Sequence, residues 1–154
     1  MGGTWLVRLL TDADKKMTEA NLADAFNETN APFAKMIGVR MTLVTRTRIE
    51  AELEVTPEHC TVPATLHGGA IMAFADNLGG IGAFLNMPEG FVTSTVESKT
   101  NFLRPIPVGQ KAIAATTPIS IGRTLQVWKT EVSREDGKLA AIVTQTQIVM
   151  QPRG

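Results

Sequence analysis

Residues 65–86, TLHGGAIMAFADNLGGIGAFLN, decide how the chain folds. From Gly68 onward the residues are apolar or small around the whole helical wheel, which predicts a helix over residues 68–86 that is buried on every side. A membrane span needs about 20 apolar residues without charge, whereas this run is shorter and carries Asp76 near its middle. The stretch therefore predicts the core helix of a soluble protein, with a buried carboxylate.

Strand patterns flank this helix. Residues 38–56 predict a β-hairpin whose second strand carries charge on one face only. Four further strands are predicted over residues 91–103, 110–121, 124–134 and 138–150, with a hairpin turn at residues 135–138. Residues 57–66 contain two prolines and no periodicity, so we expect a loop there. The hairpin positions expected to face inward are Val39, Met41, Leu43, Ile49, Ala51, Leu53 and Val55.

These elements predict an α+β fold, with about six antiparallel strands curled around one long helix. Such a sheet cannot cover a helix on every face, and the simplest candidate for the remaining cover is a second copy of the chain. Residues 12–29 predict an amphipathic helix that packs on the body or swings free. We therefore divide the chain into an N-terminal arm with its helix, residues 1–30, and one domain, residues 31–154.

Composition excludes several classes of protein. The chain has 154 residues, with 15 basic and 15 acidic side chains, so it lacks the basic surplus of a nonspecific nucleic-acid binder. One cysteine, Cys60, cannot form an intramolecular disulfide, and two histidines without a nearby acid do not make a metal site. We expect no metal, no cofactor, no nucleic-acid or membrane partner, and a cytoplasmic location.

Candidate functional residues lie at the start of the long helix. His67, Gly68 and Gly69 lie where helical N–H groups lack intrahelical acceptors, which favours negative charge. Glycine also lets a ligand carbonyl approach the backbone closely. Two simpler interpretations stay open, in which Asp76 has a structural hydrogen-bond partner and His67 is a structural hydrogen-bonding residue.

These motifs resemble a known family. Thr65-Leu66-His67-Gly68-Gly69, then Ala75-Asp76, then Ser94-Thr95-Val96-Glu97 and Asn101-Phe102-Leu103-Arg104-Pro105 are similar to the hotdog-fold acyl-CoA thioesterases of the phenylacetate-pathway type. The resemblance covers about residues 38–150. It implies a curved antiparallel sheet around one long helix, assembled into dimers and usually tetramers. It also implies hydrolysis of an acyl-CoA thioester, aryl or fatty, without a metal.

The resemblance implies a role for each matching residue. Asp76 corresponds to the general base or nucleophile, the Gly68 N–H to the oxyanion hole, His67 to a helping histidine, and Thr95 to the hydroxyl that positions the water or the carboxylate. Further substrate-binding candidates are Thr61, Gly69, Asn77, Asn101, Arg104, Ser120, Arg123 and Thr124. The chain departs from the family at Thr61 and Ala64, where members often have Asn and Gly.

Helix geometry adds a constraint of its own. Gly68 and Asp76 are about 12 Å apart along one helix axis, too far to act on the same carbonyl. Two antiparallel helices would solve this, and the small residues Ala75, Gly79 and Ala83, which recur at helical spacing, would allow a second backbone to approach there. Two alternatives remain: a hotdog protein that binds acyl-CoA without turnover and, with less support, a dehydratase on the same fold.

Overall fold

The computed structural model describes residues 19–152 and contains one large antiparallel sheet. Its six strands lie in the order β1-β2-β6-β7-β8-β5. A smaller pair, β3 and β4, follows a 3-10 turn at Pro57–His59. The strand bounds are β1 Arg40–Val44, β2 Ile49–Glu54, β3 Cys60–Thr61, β4 Thr65–Leu66, β5 Val92–Phe102, β6 Lys111–Ile121, β7 Leu125–Arg134 and β8 Leu139–Met150. The predicted α+β class with six main strands is confirmed.

Three helices complete the described chain: α1 Glu19–Thr29, α2 Pro32–Met36 and α3 Gly68–Asn86. The last of these has the predicted bounds and packs on the inner face of the sheet. Gly82 allows this contact, because a Cβ at Gly82 would lie 2.9 Å from the ring of Trp128. Among the described helices, only α3 is long and apolar enough to cross a membrane, and 56% of its apolar 18-residue window is buried inside the chain.

The small residues of α3 face the sheet and not a second backbone. Ala75 and Ala83 are fully buried in their own chain. A Cβ at Gly79 would lie 2.3 Å from Cδ of Gln145 on β8. The expectation that this stripe would allow a second backbone to approach is therefore wrong, since its small side chains let the helix approach its own sheet.

One face of α3 is open in the single chain. Met72 and Asp76 are exposed, and Ala73, Asn77 and Gly80 are only partly buried. The sheet covers the helix from one side only, as expected of a sheet that cannot enclose a helix, so Asp76 is exposed in the single chain and its predicted burial would need further cover.

The helix α1 packs against α3 and β1. Phe26 is 1% exposed, and its ring meets Phe84 edge-on at a centroid distance of 6.5 Å. Asn27 donates to the carbonyl of Met41 and accepts from its N–H, at 2.9 and 2.7 Å. The described part of the predicted helix is thus part of the core, while residues 12–18 lie outside the described range.

Two local features differ from the predicted pattern. A bulge between Met41 and Leu43 shifts the register of β1, so Val44 is buried where Leu43 was expected. The predicted loop forms the small β3–β4 hairpin, and Ala64 in its turn has φ +53°. That is a left-handed conformation which favours glycine, so Ala64 keeps a backbone shape suited to the Gly of the family pattern.

Candidate active site

A chain of hydrogen bonds ends on the carboxylate of Asp76. Thr95 Oγ1 donates to Asp76 Oδ1 at 2.7 Å, and Gln147 Nε2 donates to Thr95 Oγ1 at 2.7 Å. Because the Gln147 amide supplies its own proton, the Thr95 hydroxyl is left to donate toward Asp76. The two strands β8 and β5 thereby hold one carboxylate oxygen in place.

A second amide approaches the same carboxylate. Gln145 Nε2 lies 3.4 Å from Asp76 Oδ1 and 3.5 Å from the Asp76 carbonyl oxygen. Gln145 and Gln147 are both buried on the inner face of β8. No described residue donates to Asp76 Oδ2, which leaves that oxygen free to act on a ligand or a water.

Sequence reasoning missed both glutamines. The signal was present, because residues 145 and 147 are amides at alternating positions of a strand whose other residues in that alternation, Ala141, Val143 and Val149, are apolar. Strand residues two apart share a face. Two polar side chains at inward positions therefore indicate that another polar group is buried beneath the sheet and needs hydrogen-bond partners.

The N-terminus of α3 leaves one amide without an acceptor. Gly69 N–H donates to His67 Nδ1 at 2.9 Å, and the N–H groups of Ala70 and Ile71 donate to the His67 carbonyl. Among the described residues nothing accepts from the Gly68 N–H. This is the amide that the family pattern assigns to the oxyanion hole.

The same bonds define the roles of His67 and Gly69. His67 caps the helix with Nδ1 as acceptor, so a neutral ring carries its proton on Nε2 and offers that group to a ligand. The Gly69 N–H already has an acceptor, so it is less available to bind a substrate than the sequence predicts.

A cavity of about 370 Å³ opens beside Asp76. Asp76, Asn77 and Thr95 lie in its wall together with Gln147. Its remaining lining is largely apolar and comes from α1, the end of α3 and the start of β5, including Phe26, Ile81, Phe84, Met87, Phe91 and Val92. This is the volume and polarity of a small-molecule pocket.

Two grooves flank the start of α3. One, of about 420 Å³, joins Gly68 to Phe102 and Arg104. The other, of about 540 Å³, joins His67 to Thr61. Within a single chain the predicted residues thus form two groups, one around Asp76 and one around Gly68, separated along α3 by about 12 Å.

Asn101 belongs to neither group. It pairs with Ile142 on the face of β5 opposite to the inward Thr100 and Val143 pair, and its Oδ1 accepts from Lys99 Nζ at 2.9 Å. The structure places this predicted substrate contact on the outer side of the sheet.

The two predicted CoA arginines lie at opposite ends of the sheet. Arg104 follows β5, where the neighbouring Leu103 bonds to Ala140. Arg123 lies in the β6–β7 hairpin, where the Thr124 carbonyl accepts from the Val149 N–H. Nine residues of β8 separate these points, about 30 Å. One chain therefore does not bring Arg104 together with Ser120, Arg123 and Thr124, and a common mouth for CoA requires a second copy of the chain.

Three comparisons with known proteins agree on the class of protein that the chain is similar to. A family model described as "Thioesterase superfamily" matches residues 63–141. A Haemophilus influenzae protein that carries an esterase name is 31% identical over 106 residues, 69% of this chain and 76% of its own length. The 1,4-dihydroxy-2-naphthoyl-CoA hydrolase of Listeria monocytogenes is 28% identical over 117 residues, 76% of this chain and 94% of its own. The crystal structure of a thioesterase from Haemophilus influenzae superposes with a TM-score of 0.76 at 29% identity, covering 88% of this chain and 92% of that one.

Proposed function

The chain belongs to the thioesterase superfamily and is a thioester hydrolase with the hotdog fold, and we propose that it cleaves acyl-CoA to free acid and CoA at a site shared by two subunits. The observation that carries this proposal is the Thr95–Asp76 hydrogen bond of 2.7 Å at the wall of an apolar cavity. A positioned carboxylate beside an apolar pocket suits general-base or nucleophilic attack on an acyl group.

Asp76 Oδ2 acts on the thioester in one of two ways. As a general base it takes a proton from water, and the water oxygen bonds to the carbonyl carbon. As a nucleophile it bonds to that carbon itself, and water later cleaves the resulting anhydride. In both routes the carbon–sulfur bond breaks, and CoA leaves with the sulfur and gains a proton. Neither route requires a metal.

The oxyanion forms within reach of a helix N-terminus in this proposal. Gly68 supplies the N–H that has no other acceptor among the described residues, and the helix dipole adds to its effect. Because Gly68 and Asp76 of one helix are about 12 Å apart, the donor comes from a second copy of the chain.

The edge strand β5 supports such a pairing. It is 11 residues long and ends the sheet, so its outer backbone groups are available to another strand. Antiparallel pairing of two β5 strands keeps both α3 helices on one side of a continuous sheet. If the two-fold axis passes through Lys99, the bulge between Thr95 and Glu97 places Thr95 opposite the partner's Phe102. Since Gly68 lies against the Phe102 ring, the partner's Gly68 then comes close to Asp76.

The same pairing places Arg123 of one subunit and Arg104 of the other at the same end of the sheet. Antiparallel β5 strands bring the end of one strand to the start of the other, so the partner's Arg104 comes to the end of the sheet where Arg123 lies. We assign the CoA phosphates to this pair, because the chain has no net positive charge to attract them. The assembly is a homodimer at least and, by the resemblance, a homotetramer, in the cytoplasm.

Thiol release tests the proposal. The protein is assayed with aryl- and fatty-acyl-CoA esters, alongside Asp76→Asn, which keeps the size of the side chain and removes the base. We expect release by the wild type and a loss of about 10²–10⁴ in kcat for the variant. Binding without turnover would favour the acyl-CoA-binding alternative, and water addition or loss at the acyl chain would favour the dehydratase. A fully active monomer in sedimentation would contradict the shared site.

A further inference from the structure

The cavity beside Asp76 has a polar group that neither the fold nor the proposed chemistry uses. Asn30, between α1 and α2, lies in its wall and is 6% exposed. Its Oδ1 accepts from the Ala31 N–H at 2.9 Å, but its Nδ2 has no acceptor among residues 19–152. Buried donors almost always have a partner, so an amide left in a cavity wall points to a ligand.

A second side-chain amide in the same wall also lacks a hydrogen-bond acceptor. Asn77 is partly buried on α3, and its Nδ2 also lacks an acceptor among the described residues. Two amide donors, one from the connection between α1 and α2 and one from α3, thus line one cavity whose other walls are mainly aromatic and aliphatic.

We propose that Asn30, supported by Asn77, selects acyl groups that carry a neutral oxygen acceptor, such as a hydroxyl, away from the thioester. This inference rests on the proposed function, because it requires that the acyl group occupies the cavity beside Asp76. The reaction at the thioester is unchanged; the amides choose which acyl group binds.

The charge of the wall limits the acceptor to a neutral group. The described residues that line the cavity include Asp76 and no lysine or arginine. A carboxylate on the acyl group would be buried without a cation and beside a like charge, which is costly. A hydroxyl accepts from Asn30 without that cost, whereas a plain hydrocarbon leaves the amide unpaired.

Matched substrates test the assignment. The probes are benzoyl-CoA with its three monohydroxybenzoyl-CoA isomers, and octanoyl-CoA with 8-hydroxyoctanoyl-CoA. We expect the wild type to favour at least one hydroxylated ester over its parent by about tenfold or more in kcat/KM, which is about the net contribution of one hydrogen bond. Asn30→Leu should remove most of that preference, because it lowers kcat/KM more for the hydroxylated ester than for its parent.

The outcomes separate the two proposals. No thiol release from any ester would contradict the proposed function. Release with equal rates for hydroxylated and parent esters would overturn the role of Asn30 alone. An equal loss on both members of a pair in Asn30→Leu would mean a structural role. Should that variant fail to fold, the wild-type ratio and Asn77→Leu, which should weaken the same preference, decide the matter.

Discussion

Thr95 Oγ1 lies 2.7 Å from Asp76 Oδ1 and joins the edge strand β5 to the middle of α3. The bond occupies one carboxylate oxygen and fixes the plane of the group, so the other oxygen keeps a constant direction. It also ties the candidate base to the strand that we propose pairs two subunits. Changes at this strand should therefore affect both assembly and the rate of the chemical step.

Thr95→Val should lower kcat by about 10- to 100-fold, since a hydrogen bond to a charged group contributes roughly 1.5–3 kcal/mol. KM should change little, because the hydroxyl positions the base and does not hold CoA. Thr95→Ser keeps the hydroxyl and should restore most of the rate. Steady-state kinetics on one CoA ester, with circular dichroism to verify folding, gives the comparison. Equal activity of the Val and Ser variants would show that the bond is not used.

Gln147→Glu should lower kcat by more than Gln147→Leu does. Glu at this position accepts the Thr95 proton and competes with Asp76 for it, whereas Leu only removes a donor. Gln126 is the matched control, because it is a buried glutamine of the same inner face that bonds to Trp128 at 3.2 Å instead. Gln126→Leu should reduce stability and leave kcat of the folded enzyme near the wild-type value. Similar kcat for all three variants would exclude a positioning role.

The sequence predicted the regular elements because periodicity alone defines them. The bounds of α3 agree at both ends, and the strands β5 to β8 agree within a residue or two. The resemblance to the family motifs assigned Asp76, Thr95 and the Gly68 amide to the site. Which face of α3 stays open, and the contact of Gln145 and Gln147 with Asp76, could not be predicted, because both depend on how the sheet packs on the helix. Asn30 gave no signal, since it lies between two helices where no period applies.

Ala64→Gly should raise the free energy of unfolding by about 0.5–1 kcal/mol. Ala64 has φ +53°, which costs an L-residue roughly 1–2 kcal/mol, and the greater freedom of glycine in the unfolded chain offsets part of the gain. Gly137→Ala is the mirror control, since Gly137 has φ +77° and open space around a built Cβ, and it should lower stability. Denaturant unfolding measures both. A loss of stability in Ala64→Gly would contradict this account of the turn.

Arg104→Ala and Arg123→Ala should each raise KM for CoA esters with little change in kcat, because contacts to the remote nucleotide bind ground and transition states equally. Arg104 also donates to the Leu139 carbonyl at 2.8 Å, so its variant needs a check of folding. A short thioester without the nucleotide is the control substrate and should be unaffected. An equal loss on both substrates would assign that arginine to the fold or the chemistry.

Two variants test the shared site, and each removes the contribution of one subunit to it. Asp76→Asn removes the base. Gly68→Pro removes the oxyanion N–H at the first position of α3, where proline is tolerated, and His67 before it has the extended φ −63° and ψ 138° that a proline requires. Gly68→Ala is the control, since it adds a Cβ against Phe102 and keeps the N–H. Each disabling variant alone should lose about 100-fold or more in kcat.

The most direct test of the central claim is the activity of the mixed dimer, with Asp76→Asn in one subunit and Gly68→Pro in the other, purified through two different tags. If each site takes Asp76 from one subunit and Gly68 from its partner, one of the two sites is intact and the mixed dimer has about half of the wild-type kcat per dimer. If each subunit holds a complete site of its own, both sites carry a defect. The mixed dimer then stays as inactive as the two parents, and the shared site is contradicted.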